Sequence, residues 1–149
     1  MFRGDCINAA FYEKETEVRQ LLESKANVEA RDRFGYRALD WAAYKGHLSI
    51  VKLLLAAKAN VNAVDKLGDG TPLTKACYSS APLNTSVVKY LLENGADLFL
   101  KNIKDELMLD KCKEHASKET TEILQQYQTE LNQIKVAYPH LICSSSNLM

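Results

Sequence analysis

The sequence predicts an all-α solenoid of stacked helical units finished by a long C-terminal helix. Three observations predict it. Lys25-Ala26-Asn27-Val28-Glu29-Ala30 returns about 33 residues later as Lys58-Ala59-Asn60-Val61-Asn62-Ala63. Each copy follows a leucine-rich helix end, Gln20-Leu21-Leu22-Glu23 and Leu53-Leu54-Leu55-Ala56, and a third copy, Asn94-Gly95-Ala96-Asp97-Leu98, follows Tyr90-Leu91-Leu92-Glu93. Within the clearest unit, Leu39, Ala42 and Ala43 recur at i, i+3, i+4, the spacing of one helix face. Self-similarity at this period means stacked supersecondary units, which usually present a surface and not a catalytic pocket.

Taken in order, residues 4–31 form a first unit, with Ile7-Asn8-Ala9-Ala10 in one helix and Glu17-Val18-Arg19-Gln20-Leu21-Leu22 in the other. The second unit, 32–64, opens on Asp32-Arg33-Phe34-Gly35-Tyr36. Its first helix ends at Gly46, as glycine does just past a helix C-terminus, and Ile50, Val51, Leu54 and Leu55 mark one face of the next helix. The third unit, 65–101, carries Gly70-Thr71-Pro72-Leu73-Thr74-Lys75-Ala76. Thr71 suits a helix cap, and Pro72 suits the first turn, where a missing N–H costs nothing.

These motifs resemble those of the ankyrin-repeat family, a turn followed by two antiparallel helices. The Gly46-His47 turn, the Ile50-Val51-Lys52-Leu53-Leu54-Leu55 helix and the Thr71-Pro72-Leu73-Thr74-Lys75-Ala76 run carry the likeness, with Thr74 where the family signature has histidine. The resemblance implies β-hairpin-like tips at Asp32–Gly35 and its equivalents, and a repeat domain over 1–126. The third unit departs twice: one extra residue sits in Leu67-Gly68-Asp69-Gly70, and the connection from Ser79 to Ser86 is long. Such insertions go to loops and sometimes to a binding edge. A fourth, eroded unit over 102–126 has Leu107-Met108-Leu109-Asp110-Lys111-Cys112 in place of the signature. Terminal units are atypical because their outer faces meet water.

Residues 119–138 read as one helix, with Ile123, Leu124, Tyr127, Leu131, Ile134 and Tyr138 at three-to-four spacing and Pro139 stopping it. This stripe can cover the last unit or pair with a second copy of the chain, and residues 139–149 are expected to be a disordered tail.

Composition narrows the function. Lys plus Arg and Asp plus Glu both number 19, so the chain lacks the basic excess of a nucleic-acid binder. No apolar run reaches the length of a membrane span, and charges among the first 20 residues argue against a secretory signal. The four cysteines, 6, 77, 112 and 143, show neither metal-ligand spacing nor a paired framework, which points to a reducing, cytoplasmic setting. Host cytosol is the setting if the chain is a secreted effector. Cys6, Cys77 and Cys112 fall at core positions of their units, while Cys143 lies in the tail. No phosphate loop, His-Glu-x-x-His or nucleophile elbow is present, so neither an enzyme nor a cofactor is expected.

Aligning the units places Phe11, Tyr44 and Tyr78 at one equivalent position. The resemblance puts this position on the concave side, where partners are met, and Glu114 would end the aromatic column in the fourth unit. Around it the family's variable positions map onto Arg33, Phe34 and Tyr36 on one tip, Lys66, Leu67 and Asp69 on the next, and Tyr12, Lys45 and Ser79 on the helices. Trp41 stands where the family tolerates large residues that partly face the groove. Aromatic anchors of this kind dominate many interfaces. The expectation is therefore recognition of a protein partner as adaptor, inhibitor or targeting subunit. The alternative is a structural assembly protein that self-associates through Ile123 to Tyr138.

Overall fold

The computed structural model describes residues 5–68, 70–79, 81 and 84–141. Asp69, Cys143 and part of the long connection after Ser79 lie outside the described residues. Eight α-helices follow one another: α1 Cys6–Phe11, α2 Glu15–Glu23, α3 Ala38–Lys45, α4 Leu48–Ala56, α5 Pro72–Tyr78, α6 Asn84–Glu93, α7 Met108–His115 and α8 Lys118–Ala137. There is no strand among the described residues, only an isolated antiparallel bridge from Lys101 to Leu107. Pro139–Leu141 form a 3-10 turn, so this part of the expected tail has regular structure.

The odd-numbered helices stack on one another as an inner layer, and the even-numbered helices stack as an outer layer. Small side chains make the inner layer possible. Ala9, Ala10, Ala42, Ala43, Ala76 and Cys77 are all buried, letting successive helices approach closely. Val18, Ile50, Val51, Leu54, Val87, Val88, Leu91, Leu92 and Leu124 fill the space between the layers. Leu55 is only half-buried, at the edge of that face.

The outer helices α2, α4 and α6 end in the same way. Lys25, Lys58 and Gly95 adopt a left-handed conformation, and the next residue's N–H returns to a leucine carbonyl five residues back. This recurring cap is the physical content of the Lys-Ala-Asn-Val repeat. The following Asn or Asp then turns the chain: Asn27, Asn60 and Asp97 each accept a backbone N–H two residues on.

The tips close with equal regularity. Asp32 N–H donates to Tyr36 O and Asn102 N–H donates to Glu106 O, spanning four residues, whereas Asp65 N–H reaches Gly70 O across five. The extra residue of the third unit is thus absorbed within its tip. Gly35 (φ 84°) and Gly68 (φ 68°) meet the following tips at Lys66 and Ile103 so closely that a Cβ would overlap those side chains.

The long connection between α5 and α6 is shorter than the sequence indicated, because Asn84 to Ser86 belong to α6. Asn84 is buried, and its amide donates to Ala76 O and Ser79 O at the end of α5. The longer loop therefore carries its own cap for the carbonyls left open at that helix end.

The amino-terminal half of α8 packs on α6 and α7, with Thr120 and Leu124 buried and Tyr127 Oη donating to Leu92 O at 2.9 Å. Its last turns run past them: Ile134, Val136 (85% exposed) and Tyr138 face solvent.

Candidate protein-binding surface

Trp41 is the centre of the inner face. Asp32 caps its own tip by accepting the N–H groups of Phe34 and Tyr36 through Oδ1, at 2.8 and 2.9 Å. Its second oxygen, Oδ2, accepts the Trp41 indole N–H at 2.8 Å. Fixed in this way, the indole meets Phe11, Tyr36 and Tyr44 edge to face at 5.1, 5.3 and 6.2 Å. Such contacts contribute about 0.5–1.5 kcal/mol each beyond burial. The aromatic column of the sequence is thus corrected in form: Phe11 and Tyr44 are joined through Trp41.

Tyr78 continues the series into the fourth unit against His115, 4.6 Å away. Glu114 takes the equivalent position in the fourth unit, and the ring that meets Tyr78 there belongs to the residue after it. His47, from the Gly46-His47 turn, places Nε2 3.3 Å from Phe11 O and ties the second unit to the first.

Two hollows flank the indole. One, of about 400 Å³, is lined by Tyr36, Asp40, Trp41, Tyr44, Lys75 and Tyr78. The other, of about 290 Å³, lies between the first two units and is lined by Asp5, Ile7, Asn8, Phe11, Tyr12, Asp32, Arg33, Phe34 and Trp41. Phe34, 52% exposed, belongs to this second hollow, with the Arg33 guanidinium 4.6 Å from its ring centre. Its ring thus lines the side facing the first unit. Lys45 lies 4.3 Å from the Phe11 ring centre.

Of the residues singled out by sequence as partner-binding, Lys45, Lys66, Leu67 and Ser79 line neither hollow. Lys66 packs its stem on Gly35, and Leu67 stands 63% exposed at its tip. Ser79 Oγ accepts the Ala81 N–H at 3.0 Å, a local turn contact.

Two charged residues of the larger hollow were not singled out from sequence as partner-binding: Asp40 and Lys75. Asp40 follows the N-cap of α3 by three residues, and its Oδ2 accepts the Arg37 N–H at 2.8 Å. Thr74 fills the same place in α5, where its hydroxyl accepts the Thr71 N–H. Asp40 is only 2% exposed and its Oδ1 has no hydrogen-bond partner. Burial pushes its carboxyl up to about 6, against the opposing pull of the Arg37 N–H and of the Arg37 and Lys75 charges. Lys75 Nζ sits 2.8 Å from Asp65 Oδ2 and 4.5 Å from the Tyr36 ring centre. Burial would lower the Lys75 ammonium, but the bond to Asp65 and the charges of Asp65, Tyr36 and Asp40 together outweigh it, and the net shift is upward. The position of Asp40 in the helix start was legible, but a lost second partner has no sequence signature.

Cys6, Cys77 and Cys112 lie in the inner helices and line neither hollow. All three are buried free thiols, and the hydrogen bond between Cys77 and Cys112, together with burial, pushes the Cys77 thiol well up. A thiol held protonated is a poor nucleophile. Among the described residues no three His, Cys, Asp or Glu side chains are grouped to hold a metal ion, and no helix is long and apolar enough to cross a membrane.

The family model for ankyrin repeats matches residues 6–102 with three copies. The chain belongs to the ankyrin-repeat family. Ankyrin repeats are protein-interaction modules, typically non-catalytic. A palmitoyltransferase of Lachancea kluyveri is 40% identical over 81 residues, covering 54% of this chain and 10% of that protein. The 26S proteasome non-ATPase regulatory subunit 10 of Dictyostelium discoideum is 37% identical over 82 residues, covering 54% of this chain and 34% of that protein. The ankyrin chain therefore matches about a tenth and about a third of the length of these relatives.

Proposed function

We propose that this ankyrin-repeat chain is a non-catalytic recognition subunit that holds a protein partner along its inner helices and tips. Phe11, Tyr12, Phe34, Tyr36, Tyr44 and Tyr78 serve as anchors around Trp41, and Arg33 and Lys45 add polar specificity. Lys66, Leu67 and Ser79 form the outer margin of this surface. The observation that carries the reading is the open aromatic cluster centred on Trp41, flanked by a hollow on each side. Rigid aromatic side chains give contact area at low entropic cost. A cluster of this size left at a monomer's surface needs an occupant.

The fourth repeat, 102–126, serves in this reading as a terminal cap. The charge balance argues against nucleic acid and membrane surfaces as partners, and three buried unpaired thiols suit a cytoplasmic compartment. Adaptor, inhibitor and targeting roles all use such a surface. The palmitoyltransferase and the proteasome subunit match over little more than half of this chain, so they support recognition as a class and no particular partner.

The test is affinity capture from lysate with the native chain and with a Phe11→Ala, Tyr44→Ala, Tyr78→Ala variant, its fold first checked by circular dichroism. The expected result is a partner held by the native chain and lost by the variant. Equal capture by both would overturn the inner-face reading. The exposed Ile134, Val136 and Tyr138 on the last turns of α8 favour a second reading, assembly through that helix end. Sedimentation across a hundredfold range of concentration decides it: a dimer abolished by Ile134→Glu supports assembly, and a monomer throughout dismisses it.

A further inference from the structure

We propose that the hollow between α3 and α5 receives a basic side chain of the partner, a lysine ammonium or an arginine guanidinium, with Asp40 as its counter-ion and Tyr36, Trp41, Tyr44 and Tyr78 as its walls. The proposal rests on the reading that the partner lies on the inner face.

Charge pairing comes first. Lys75 is matched by Asp65 at 2.8 Å, and Arg37 is matched by Glu29 at 2.8 Å. Asp40 is left as the surplus charge of the hollow. Its Oδ2 is used by the Arg37 N–H, and its Oδ1, buried beneath the hollow, has no hydrogen-bond partner. A buried carboxylate oxygen without a donor costs free energy that an N–H-bearing cation recovers.

The walls fit the same ligand. Aromatic faces attract cations, more strongly where water is excluded. This surface already does so with the chain's own side chains: Lys75 lies 4.5 Å from the Tyr36 ring centre, and Lys45 lies 4.3 Å from that of Phe11. A volume of about 400 Å³ admits a long side chain. Tyr44, 41% exposed, stands at the rim of the hollow. One available oxygen asks for a single N–H donor, so a quaternary ammonium, which has none, does not satisfy the site. Arg37, Lys75 and Asp65 are the charges that face Asp40, and Lys45 at the rim opposes entry.

The chain contains one tryptophan, Trp41, so its indole signal reports on the two hollows that flank it, and the Asp40→Asn arm tells them apart. N-acetyl amides of arginine, lysine, trimethyllysine and citrulline are titrated while the indole N–H resonance is followed. The expected result is saturable binding of the arginine or lysine amide, the tighter of the two naming the side chain. Citrulline, which keeps arginine's shape without its charge, and trimethyllysine bind at least tenfold more weakly. Asp40→Asn weakens the basic amide at least tenfold, and affinity for the native chain falls as pH drops through about 6. Citrulline binding as well as arginine, an affinity indifferent to pH between 5 and 7.5, or undiminished binding by Asp40→Asn would each overturn the proposal. The citrulline and pH arms use the unaltered chain, so they hold even if Asp40→Asn misfolds. A lysate partner retained by folded Asp40→Asn but lost by the triple aromatic variant removes this proposal and leaves the inner-face reading standing.

Discussion

At Asp40, helix capping and solvation make opposing demands. The start of α3 needs an acceptor for the Arg37 N–H, and a carboxylate supplies it. The stacking of the next unit then removes water from the other oxygen. The carboxyl consequently titrates near 6 in the fold against 3.8 in the unfolded chain. Between those values the folded chain binds the proton more tightly, so the stabilising contribution of protonated Asp40 is fully present below about 3.8 and is lost as pH rises through about 6. The native chain should therefore lose up to about 3 kcal/mol relative to Asp40→Asn between pH 4 and pH 7. Urea unfolding of both proteins at those two pH values checks this, and a pH-independent difference would contradict it. The sequence shows that an aspartate occupies the third position of the helix. It does not show that one of its oxygens is left without a donor, because that depends on which side chains the neighbouring unit lays over it.

Among the elements, α8 divides into two parts with different duties. Leu124 is fully buried and Tyr127 donates to Leu92 O, so the first half closes the open end of the outer layer. The turns from Ile134 onward touch little of the repeat stack. Leu124→Ala should cost about 2–5 kcal/mol, and Tyr127→Phe about 1 kcal/mol. Ending the chain at Leu131 should leave stability within about 0.5 kcal/mol of the intact protein, as surface changes usually do. Thermal and urea unfolding of the three variants test that division. The helix itself was legible from its three-to-four spacing and from Pro139. The apolar stripe looked uniform in sequence because spacing records which face is apolar and says nothing about where the neighbouring helix stops. The tips were equally legible: the glycines, the Asp and Asn turn residues and even the extra residue of the third unit are local chemistry. The Phe34 position was not, since its choice between the preceding unit and the following tip is a matter of how successive units are rotated.

For the whole molecule, the period of the Lys-Ala-Asn-Val motif and the alanine pairs determined the stacking order, because each unit buries its faces only against its neighbours. The candidate surface was read less completely. Recurrence at one position selected Phe11, Tyr44 and Tyr78, yet the ring that joins the first two, Trp41, occurs in one unit only, so repetition could not find it. Arrangement in neighbour-only contacts has a kinetic counterpart. Cys6, Cys77 and Cys112 stand one each in α1, α5 and α7, all hidden in the inner layer. Each is a clock that starts only when its own unit parts from the next. With Cys143 replaced by serine, a thiol reagent should modify Cys6 well before Cys77, because among the described inner helices α1 packs on α3 alone whereas α5 packs on both α3 and α7. Mass spectrometry of the labelled peptides reads the order, and a single common rate would mean that the stack opens all at once.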